Sequence, residues 1–342
     1  MTFRGFGLAT VAAATVTGVL ALSWPAAADF KDKQPINYTV DGATATGYFK
    51  VVTEAINGII REEYPGSSAT YKPGSPAGGI LNISRGQSDL TFVGGAPEIA
   101  YALEGKAPFT EPLKGKFQFV MRLHDGLIIH SLMTKDWADR NGIKSFADIA
   151  AKKPQMRLHV NQLANLLSTV SMYVALFDAY GIKEDEVTKG GSIFRSNASG
   201  GFDNLRDGKI DVFINGGFLP TAEVTDIARG RPLLWIAGDP AKHKIAADRW
   251  THAVVPVPKG TYPFVTQDDV TIALWNSIMA GAHVSEETVY KLVKALAENQ
   301  ARVRAIHPTL AQFSIEQVYR NPTQTPYHPG AARYYREVGL LK

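Results

Sequence analysis

The stretch INYTVDGATATGYFKVVTEAI, residues 36–56, contains a strand, a glycine-bounded loop and the start of a helix in that order. The strand-like run INYTVDG ends at Gly42, and apolar residues then recur at helical spacing from Phe49 to Tyr64. The same strand and glycine loop return in SDLTFVGG, residues 88–95, and in KIDVFINGG, residues 209–217. Strands that alternate with helices predict an α/β fold with ligand loops at the carboxyl ends of the strands.

The loop of this first unit is a candidate place for an anion. Its small and hydroxylated residues precede a helix, whose first N–H groups lack partners and whose dipole favours negative charge. Thr44, Thr46, Gly47 and Tyr48 are therefore the first candidates for ligand contact. The alternative is a tight strand-to-helix turn in which Thr46 caps the helix.

The first residues have the pattern of a leader. Arg4 is followed by the apolar stretch 5–24 and by Ala26 to Ala28, which precede Asp29. We interpret residues 1–28 as a cleavable secretory signal peptide. An uncleaved membrane anchor is the alternative, and the composition of the stretch, rich in Ala, Gly and Thr, disfavours it.

Composition excludes several classes of protein. The formal net charge is only +4 and is spread over both halves of the chain, which argues against a nucleic-acid surface. No cysteine is present, which excludes disulfides, thiol nucleophiles and thiolate metal sites. We expect an exported protein of a Gram-negative periplasm that is a monomer and uses no cofactor, metal or nucleic acid.

Catalytic motifs are missing from the sequence. It contains no HExxH, no phosphate loop of the GxxxxGK[ST] type, no GxGxxG and no GxSxG. The eight histidines never stand three or four residues apart, so no pair shares one face of a helix. We therefore expect a protein that is not an enzyme.

Five parts of the sequence, taken in their order along the chain, together carry a resemblance to one family. These segments are GATATGYFKVVTEAI (42–56), KPGSPAGGILNISRGQSDLTFVGG (72–95), LRDGKIDVFINGGFLPTAEVTDIA (205–228), VPKGTYPFVTQDDVTIA (257–273) and the C-terminal pair ETVYKLVKALAEN and YHPGAARYYREVG. Together they resemble the TAXI-type solute-binding subunits of TRAP transporters, and the similarity extends over nearly the whole mature chain.

The resemblance implies a type II periplasmic-binding fold, with two doubly wound α/β lobes, crossover strands between them and a ligand cleft. Lobe 1 would comprise residues 29–124 and 255–320, lobe 2 residues 125–254, and residues 321–342 a C-terminal tail that packs on the lobes. The implied function is to bind a small organic anion, which is a carboxylate, a dicarboxylate or a glutamate-like amino acid. The receptor would then deliver it to the permease subunits of a TRAP transporter in the membrane.

Two loops of the first lobe add candidate contacts. Gly74 and Ser75 stand in the second loop, although Pro73 and Pro76 on either side also fit a rigid turn without a ligand. Gly94 ends the strand SDLTFV, where the family usually has a polar glutamine.

Polar residues of the second lobe are further candidates. Asn161 and Asn165 stand four residues apart and share a face if the helix has begun, and their amides suit a carboxylate or an amide. They stand where the family often has glycines, and solvated surface is the alternative. Asn215 and Gly216 follow a strand whose pattern indicates burial, which allows a close approach of backbone to ligand or an ordinary turn.

A carboxylate ligand gains most from an arginine fork. Arg195, in the polar loop IFRSNASGG, is the first candidate, and Arg122, beside the predicted crossover, is the second. Tyr262, in the Thr-Tyr-Pro turn, either closes over the ligand or packs under the hinge.

Two other functions remain as alternatives. The same fold suits a ligand-sensing adaptor that passes its state to a membrane sensor kinase. A less favoured alternative is an enzyme on this scaffold, such as a synthase of a pyrimidine precursor, although the histidine and cysteine chemistry of such an enzyme is not evident in the sequence.

Overall fold

Two long strands cross from one half of the sheet to the other and organise the molecule. In the structure, a computed structural model, β4 (Phe117–Thr134) pairs antiparallel with β10 (Asp269–Gly281). The register of the pair shifts at three places between Leu274 and Met279. Such irregularities bend strands locally, so both strands change direction where they pass between the two halves. The structure describes residues 1–2, 30, 32–43, 45, 48–162, 167–188 and 192–342, and residues 33–342 form one compact unit.

All strands of the described residues belong to one sheet. Its order is β2-β1-β3-β10-β4-β7-β5-β6, with β8 paired to β4 and β9 paired to β10. The remaining strands are β1 (Asn37–Asp41), β2 (Ser68–Lys72), β3 (Leu90–Val93), β5 (Leu158–Val160), β6 (Ile193–Arg195), β7 (Val212–Gly217), β8 (Leu233–Trp235) and β9 (Ala253–Val257).

Helices connect these strands along the chain. The helices of the described residues are α1 (Tyr48–Glu63), α2 (Pro76–Ser84), α3 (Ala96–Glu104), α4 (Lys135–Asn141), α5 (Phe146–Lys152), α6 (Leu167–Tyr180), α7 (Glu184–Val187), α8 (Ala198–Arg206), α9 (Ala222–Gly230), α10 (Pro240–Asp248), α11 (Glu286–Glu298), α12 (Gln300–Ile306), α13 (Ile315–Val318) and α14 (Pro329–Glu337). A 3-10 turn at Pro308–Leu310 lies between α12 and α13. No helix among them is long and apolar enough to cross a membrane.

The sheet topology divides the molecule into two α/β lobes. In the first lobe the parallel strands β2, β1 and β3 adjoin the carboxyl half of β10. In the second lobe β6, β5 and β7 are parallel to one another and adjoin the carboxyl half of β4. The chain therefore has the type II periplasmic-binding fold that the sequence predicts, with β4 and β10 as the crossover strands.

The second lobe has an apolar core on each face of its sheet. Ile129 and Met133 of β4 belong to one cluster, whereas Ile128 and Leu132 belong to the other. Neighbouring residues of a strand point to opposite faces, so this alternation places the two cores on the two sides of the sheet. A lobe whose sheet is covered by helices on both faces is called doubly wound.

Several helix boundaries agree with the sequence. Ser145 and Asp148 form the capping box of α5, and the side chain of Ser285 accepts from the backbone N–H of Thr288 at the start of α11. Gly181 follows α6 with φ of 71°, in the left-handed region that favours glycine.

The crossover differs from the sequence expectation in length and position. The run GLIIHSLM predicts a strand only after residue 125, whereas β4 is continuous from Phe117. Val257, Tyr262 and Val265, expected in lobe 1, pack in the core of the second lobe. We propose that the chain returns to the first lobe along β10, later than residue 255, because β9 pairs with the part of β10 that adjoins this core.

Four buried histidines should make the protein sensitive to acid. Burial lowers the pKa of His124, His130 and His252 to about 3 and that of His159 to about 4. Unfolding frees each ring to take up a proton below its ordinary pKa of about 6.5, so stability falls as pH falls through that value.

We expect the free energy of unfolding to rise between pH 4.5 and pH 6.5, by about 1.4 kcal/mol per pH unit for each such histidine. Urea unfolding across this range measures the slope. A flat profile would contradict the burial of these rings.

One glycine replacement tests the packing of the C-terminal helices α11 and α14, and a second, in α1, serves as its comparison. A Cβ on Gly330 of α14 would lie 2.6 Å from the backbone N of Tyr290 and also against the carbonyl oxygen of Glu286. Gly330→Ala should therefore destabilise the protein by about 1 to 3 kcal/mol. Gly58→Ala, inside α1 with no atom within 4 Å of the new Cβ, should stabilise it by about 1 kcal/mol. Urea midpoints of the two variants measure both effects, and equal midpoints would contradict the close packing of α14 on α11.

Candidate functional site

The carboxyl ends of two strands, one in each lobe, reach the crossover. β3 ends at Val93 beside β10, and β7 ends at Gly217 beside β4. In open α/β sheets such ends border the crevice where ligands bind. Gly94 lies at the first-lobe side of this crevice, and Asn215 and Gly216 lie at the second-lobe side.

Two asparagines of the second lobe are bonded to each other. The Nδ2 of Asn161, which follows β5, donates to Oδ1 of Asn215 at 3.0 Å, and the backbone N–H of Gly216 donates to the same oxygen at 2.8 Å. The Nδ2 of Asn215 is buried and has no hydrogen-bond partner among the described residues. The structure thus brings three of the predicted site residues together and leaves one free donor among them.

The position of Gly216 is explained by a neighbouring hydroxyl. A Cβ on Gly216 would lie 2.8 Å from Oγ1 of Thr169, near the start of α6. That hydroxyl is also buried without a partner in the described part of the chain. A glycine at this position lets α6 approach the end of β7 closely.

The two lobes are bonded through Glu98. This residue of α3, in the first lobe, accepts a hydrogen bond from the backbone N–H of Ser168 in α6 at 2.8 Å, and a second from the Ser168 hydroxyl. Its side chain is fully buried, and burial raises the pKa of the carboxyl to about 7. The carboxylate of one lobe therefore sits at the amino-terminal end of a helix of the other.

Three more buried groups surround this contact. A Cβ on Gly95 would lie 2.7 Å from Oγ of Ser168 and 2.9 Å from Cε1 of His252, so only a glycine fits between them. Neither ring nitrogen of His252 has a hydrogen-bond partner among the described residues, and the indole nitrogen of Trp275 has none there either. The two rings are 5.9 Å apart between centroids. Asn276 is next along β10, and its Oδ1 is likewise without a partner.

We call the following buried polar side chains, which lie at the ends of β3 and β7 and on the adjoining elements, the interlobe polar cluster: Glu98, Ser168, Thr169, Asn215, His252, Trp275 and Asn276. Trp275 and Asn276 are neighbours on β10 and therefore point to opposite faces of the sheet. The free groups of the cluster are mainly donors, since a hydroxyl, an amide N–H and an indole N–H lack acceptors. Such donors suit the oxygens of an anion. The free oxygen of Asn276 is an acceptor and suits a hydroxyl or an ammonium group.

Tyr48 lies in an aromatic cluster that also joins the lobes. Its ring centroid is 5.2 Å from that of His124 and 4.9 Å from those of Phe218 and His307. Its hydroxyl accepts a hydrogen bond from Thr309 at 3.3 Å, and burial raises its pKa. Phe218 follows β7, so Tyr48 contacts the second lobe from the start of α1.

A cavity of about 1030 Å³ adjoins this aromatic cluster. It is lined by residues 122–126 of β4, by the loop 218–222 of the second lobe and by residues of the segment 307–320. Arg122 is bonded through Nε to Asp125 at 2.7 Å, and Arg320 also lines the cavity. Burial is the main cause that lowers the pKa of His124 and of His252, and the positive charge of Arg122 contributes to both shifts.

The other first-lobe candidates are held in a turn. The hydroxyl of Ser75 caps α2 by accepting from Gly78 N at 3.2 Å. The backbone N–H of Gly74 donates to the carbonyl of Ala43 at 2.7 Å, which ties this turn to the first loop. The turn therefore supports the loop that follows β1, with its serine hydroxyl used internally.

Two further candidates have partners within the second lobe. Arg195 lies at the end of the edge strand β6, and its Nη2 donates to both carboxylate oxygens of Glu184 at 2.9 and 3.1 Å. Tyr262 is almost fully buried, and its hydroxyl bonds to the ring of His130 and to the backbone N–H of Thr221, both at 2.9 Å. Tyr262 therefore packs in the core of the second lobe, with its hydroxyl bonded internally.

Thr44, Thr46, Gly47 and Asn165 lie outside the described residues, as does nearly all of the predicted leader 1–28.

Sequence reasoning missed most of the interlobe polar cluster. Glu98 had one local signal, an acidic residue in the first turn of a helix that follows paired glycines. Ser168 and Thr169 are the hydroxylated start of an otherwise apolar helix. His252 and Trp275 had no local signal, because only the sheet brings them together. In the described ranges, no three His, Asp or Glu side chains are grouped to hold a metal ion.

Several solved structures are similar to this chain in fold, at low sequence identity. The binding protein of an ABC phosphonate transporter from Pseudomonas aeruginosa is 14% identical, with 81% of this chain and 79% of that one covered and a TM-score of 0.48. MatC from Rhodopseudomonas palustris with bound malate is 16% identical, with 81% and 89% covered and a TM-score of 0.49. A putative L-cystine ABC transporter protein from Listeria monocytogenes is 14% identical, with 82% and 99% covered and a TM-score of 0.46.

The ligands named for these three proteins differ from one another, so the similarities leave the ligand of this chain open. A family match covers most of the sequence, from residue 41 to residue 339. The chain belongs to the NMT1-like family.

Proposed function

We propose that this protein is an extracytoplasmic solute receptor that binds a small organic anion between its lobes and delivers it to a TRAP-type transporter. One observation carries the proposal: buried polar groups from both lobes converge at the carboxyl ends of β3 and β7 and lack partners among the described residues. Unpaired buried polar groups cost about 1 to 3 kcal/mol each, so a ligand that pairs with them gains binding energy at this place.

The chemistry of these groups favours an anion. The free donors of Thr169, Asn215 and Trp275 suit carboxylate oxygens, and the guanidinium of Arg122 supplies a positive charge nearby. The free oxygen of Asn276 suits a hydroxyl or an ammonium group on the same ligand. Hydroxy acids, dicarboxylates and glutamate-like amino acids meet both requirements.

The transporter partner is inferred from the sequence resemblance to TAXI-type subunits. Membership of the NMT1-like family and the two-lobed fold agree with a receptor that has no chemistry of its own. Export through the leader 1–28 to the periplasm, action as a monomer and transfer of the ligand to TRAP permease subunits are parts of the same proposal.

A ligand screen on the exported protein, purified from the periplasm, tests the proposal. Carboxylates should raise the melting temperature and their neutral amides should not, so succinate is compared with succinamide and glutamate with glutamine. A ligand at 100 times its dissociation constant stabilises by about 2.7 kcal/mol. Shifts given only by the neutral compounds would contradict an anion receptor.

Replacement of two arginines locates the positive charge that the ligand uses. Arg122→Gln should weaken binding of the best carboxylate at least tenfold, because it removes a guanidinium that lines the cavity beside the crossover. Arg195→Gln is the matched control and should change affinity less than twofold, because Arg195 lies on the edge strand β6, at the end of the sheet away from the crossover. Calorimetric titration measures the affinity of both variants. A larger loss of affinity in Arg195→Gln than in Arg122→Gln would place the carboxylate of the ligand at the edge of the second lobe.

A further inference from the structure

Glu98 makes the only side-chain hydrogen bonds, among those between described residues, that link α3 of the first lobe to α6 of the second. It accepts from the backbone N–H and from the hydroxyl of Ser168. Tyr101 and Trp250 are in ring contact nearby, 6.0 Å apart, and contribute no hydrogen bond. The approach of α3 to α6 therefore depends on one carboxyl group.

The place that this carboxyl occupies suits an external carboxylate equally well. The first described turn of α6, a helix of 14 residues, offers the N–H of Ser168, and the amino-terminal end of a helix carries the positive end of its dipole. Around it, the hydroxyl of Thr169 and both ring nitrogens of His252 are buried without partners in the described residues. Groups that could bind a second carboxylate are thus present while Glu98 fills the first position.

Among the described residues, no cation forms an ion pair with Glu98, whose side-chain partner is Ser168. Its contacts to Ser168 and to its own backbone are opposed by burial, which raises its pKa to about 7. The ring of His252 faces it from the segment before β9, and burial keeps that ring neutral with a pKa near 3. The other titratable or charged groups on the elements packed against it are Tyr101 and Glu104 on α3 and Tyr173, Asp178 and Tyr180 on α6, while α2 carries none.

We propose that the start of α6 with Ser168 is the carboxylate subsite of this protein and that Glu98 is its internal occupant. In the ligand-free protein Glu98 holds the lobes together, and a ligand carboxylate displaces it. The displacement of Glu98 by a ligand rests on the proposed function. The contact between Glu98 and Ser168 that holds the lobes together, which we call the holding contact, does not. A displaced Glu98 reaches water and loses its proton, so binding of an anion releases a proton below neutral pH.

Scattering of the ligand-free protein tests the holding contact. Wild type should have a smaller radius of gyration at pH 6 than at pH 8, because a neutral carboxyl is buried more easily than a charged one. Glu98→Gln, which still accepts from Ser168, should be compact at both values, and Glu98→Ala should be expanded at both. Glu104→Gln, on an exposed position of α3, is the control and should behave as wild type.

Circular dichroism confirms that each variant is folded before scattering. Equal radii for wild type, Glu98→Gln and Glu98→Ala at both pH values would overturn the holding contact, whatever ligand is found later.

Titration with glutamate tests the displacement, because both of its carboxyl groups are ionised above about pH 4.3 and the ligand adds no proton change of its own. Affinity of the wild type should rise up to tenfold per pH unit between pH 5 and pH 7, because the bound state keeps Glu98 ionised in water. Glu98→Gln should bind more weakly than Glu98→Ala, and both should lose the pH dependence. Wild-type affinity that does not change with pH would overturn the displacement. If no variant binds an anion while the radii behave as expected, the proposed function fails and the holding contact stands.

Discussion

The antiparallel pairing of β4 with β10 is the constraint on which the rest of this molecule depends. Each strand contributes one half to the first lobe and the other half to the second, so the lobes share a continuous sheet. Since β3 and β7 run against these strands, their carboxyl ends are carried to the crossover. The loops that follow these strands lie close together because of the direction in which the strands run, and not because of any feature of the loop sequences.

That meeting explains why so many polar groups are buried together. Asn215 and Asn276 belong to strands whose positions are fixed by the sheet, and Thr169 is brought in by the packing of α6. A core built only for stability would pair such groups or replace them by apolar ones, since each unpaired group is costly. A crevice that binds a polar ligand needs them unpaired in its absence, which is the usual conflict between stability and function at a site.

The sequence predicts the fold better than it predicts the site, and the reason is physical. Strand and helix patterns are local, so the α/β succession, the capping box at Ser145 and the helix after Ser285 are all legible in the sequence. The glycine loops are legible too, and Asn161, Asn215 and Gly216 do come together. Arg195 is chosen for its residue type and loop, but its partner Glu184 is set by β6 and α7, whose contact no local pattern predicts.

Glu98 is favoured both by its position within its own helix, α3, and by a long-range contact with α6. An acidic residue in the first turn of α3 is favourable for that helix, which accounts for it locally. The crossover then brings the same carboxyl to the start of a second helix, α6, where a carboxylate is equally favourable. Burial without a cation opposes both effects, so the contact is close to balance near neutral pH. A contact so balanced can yield to a ligand that brings its own carboxylate, whereas a salt bridge in the same place would resist one.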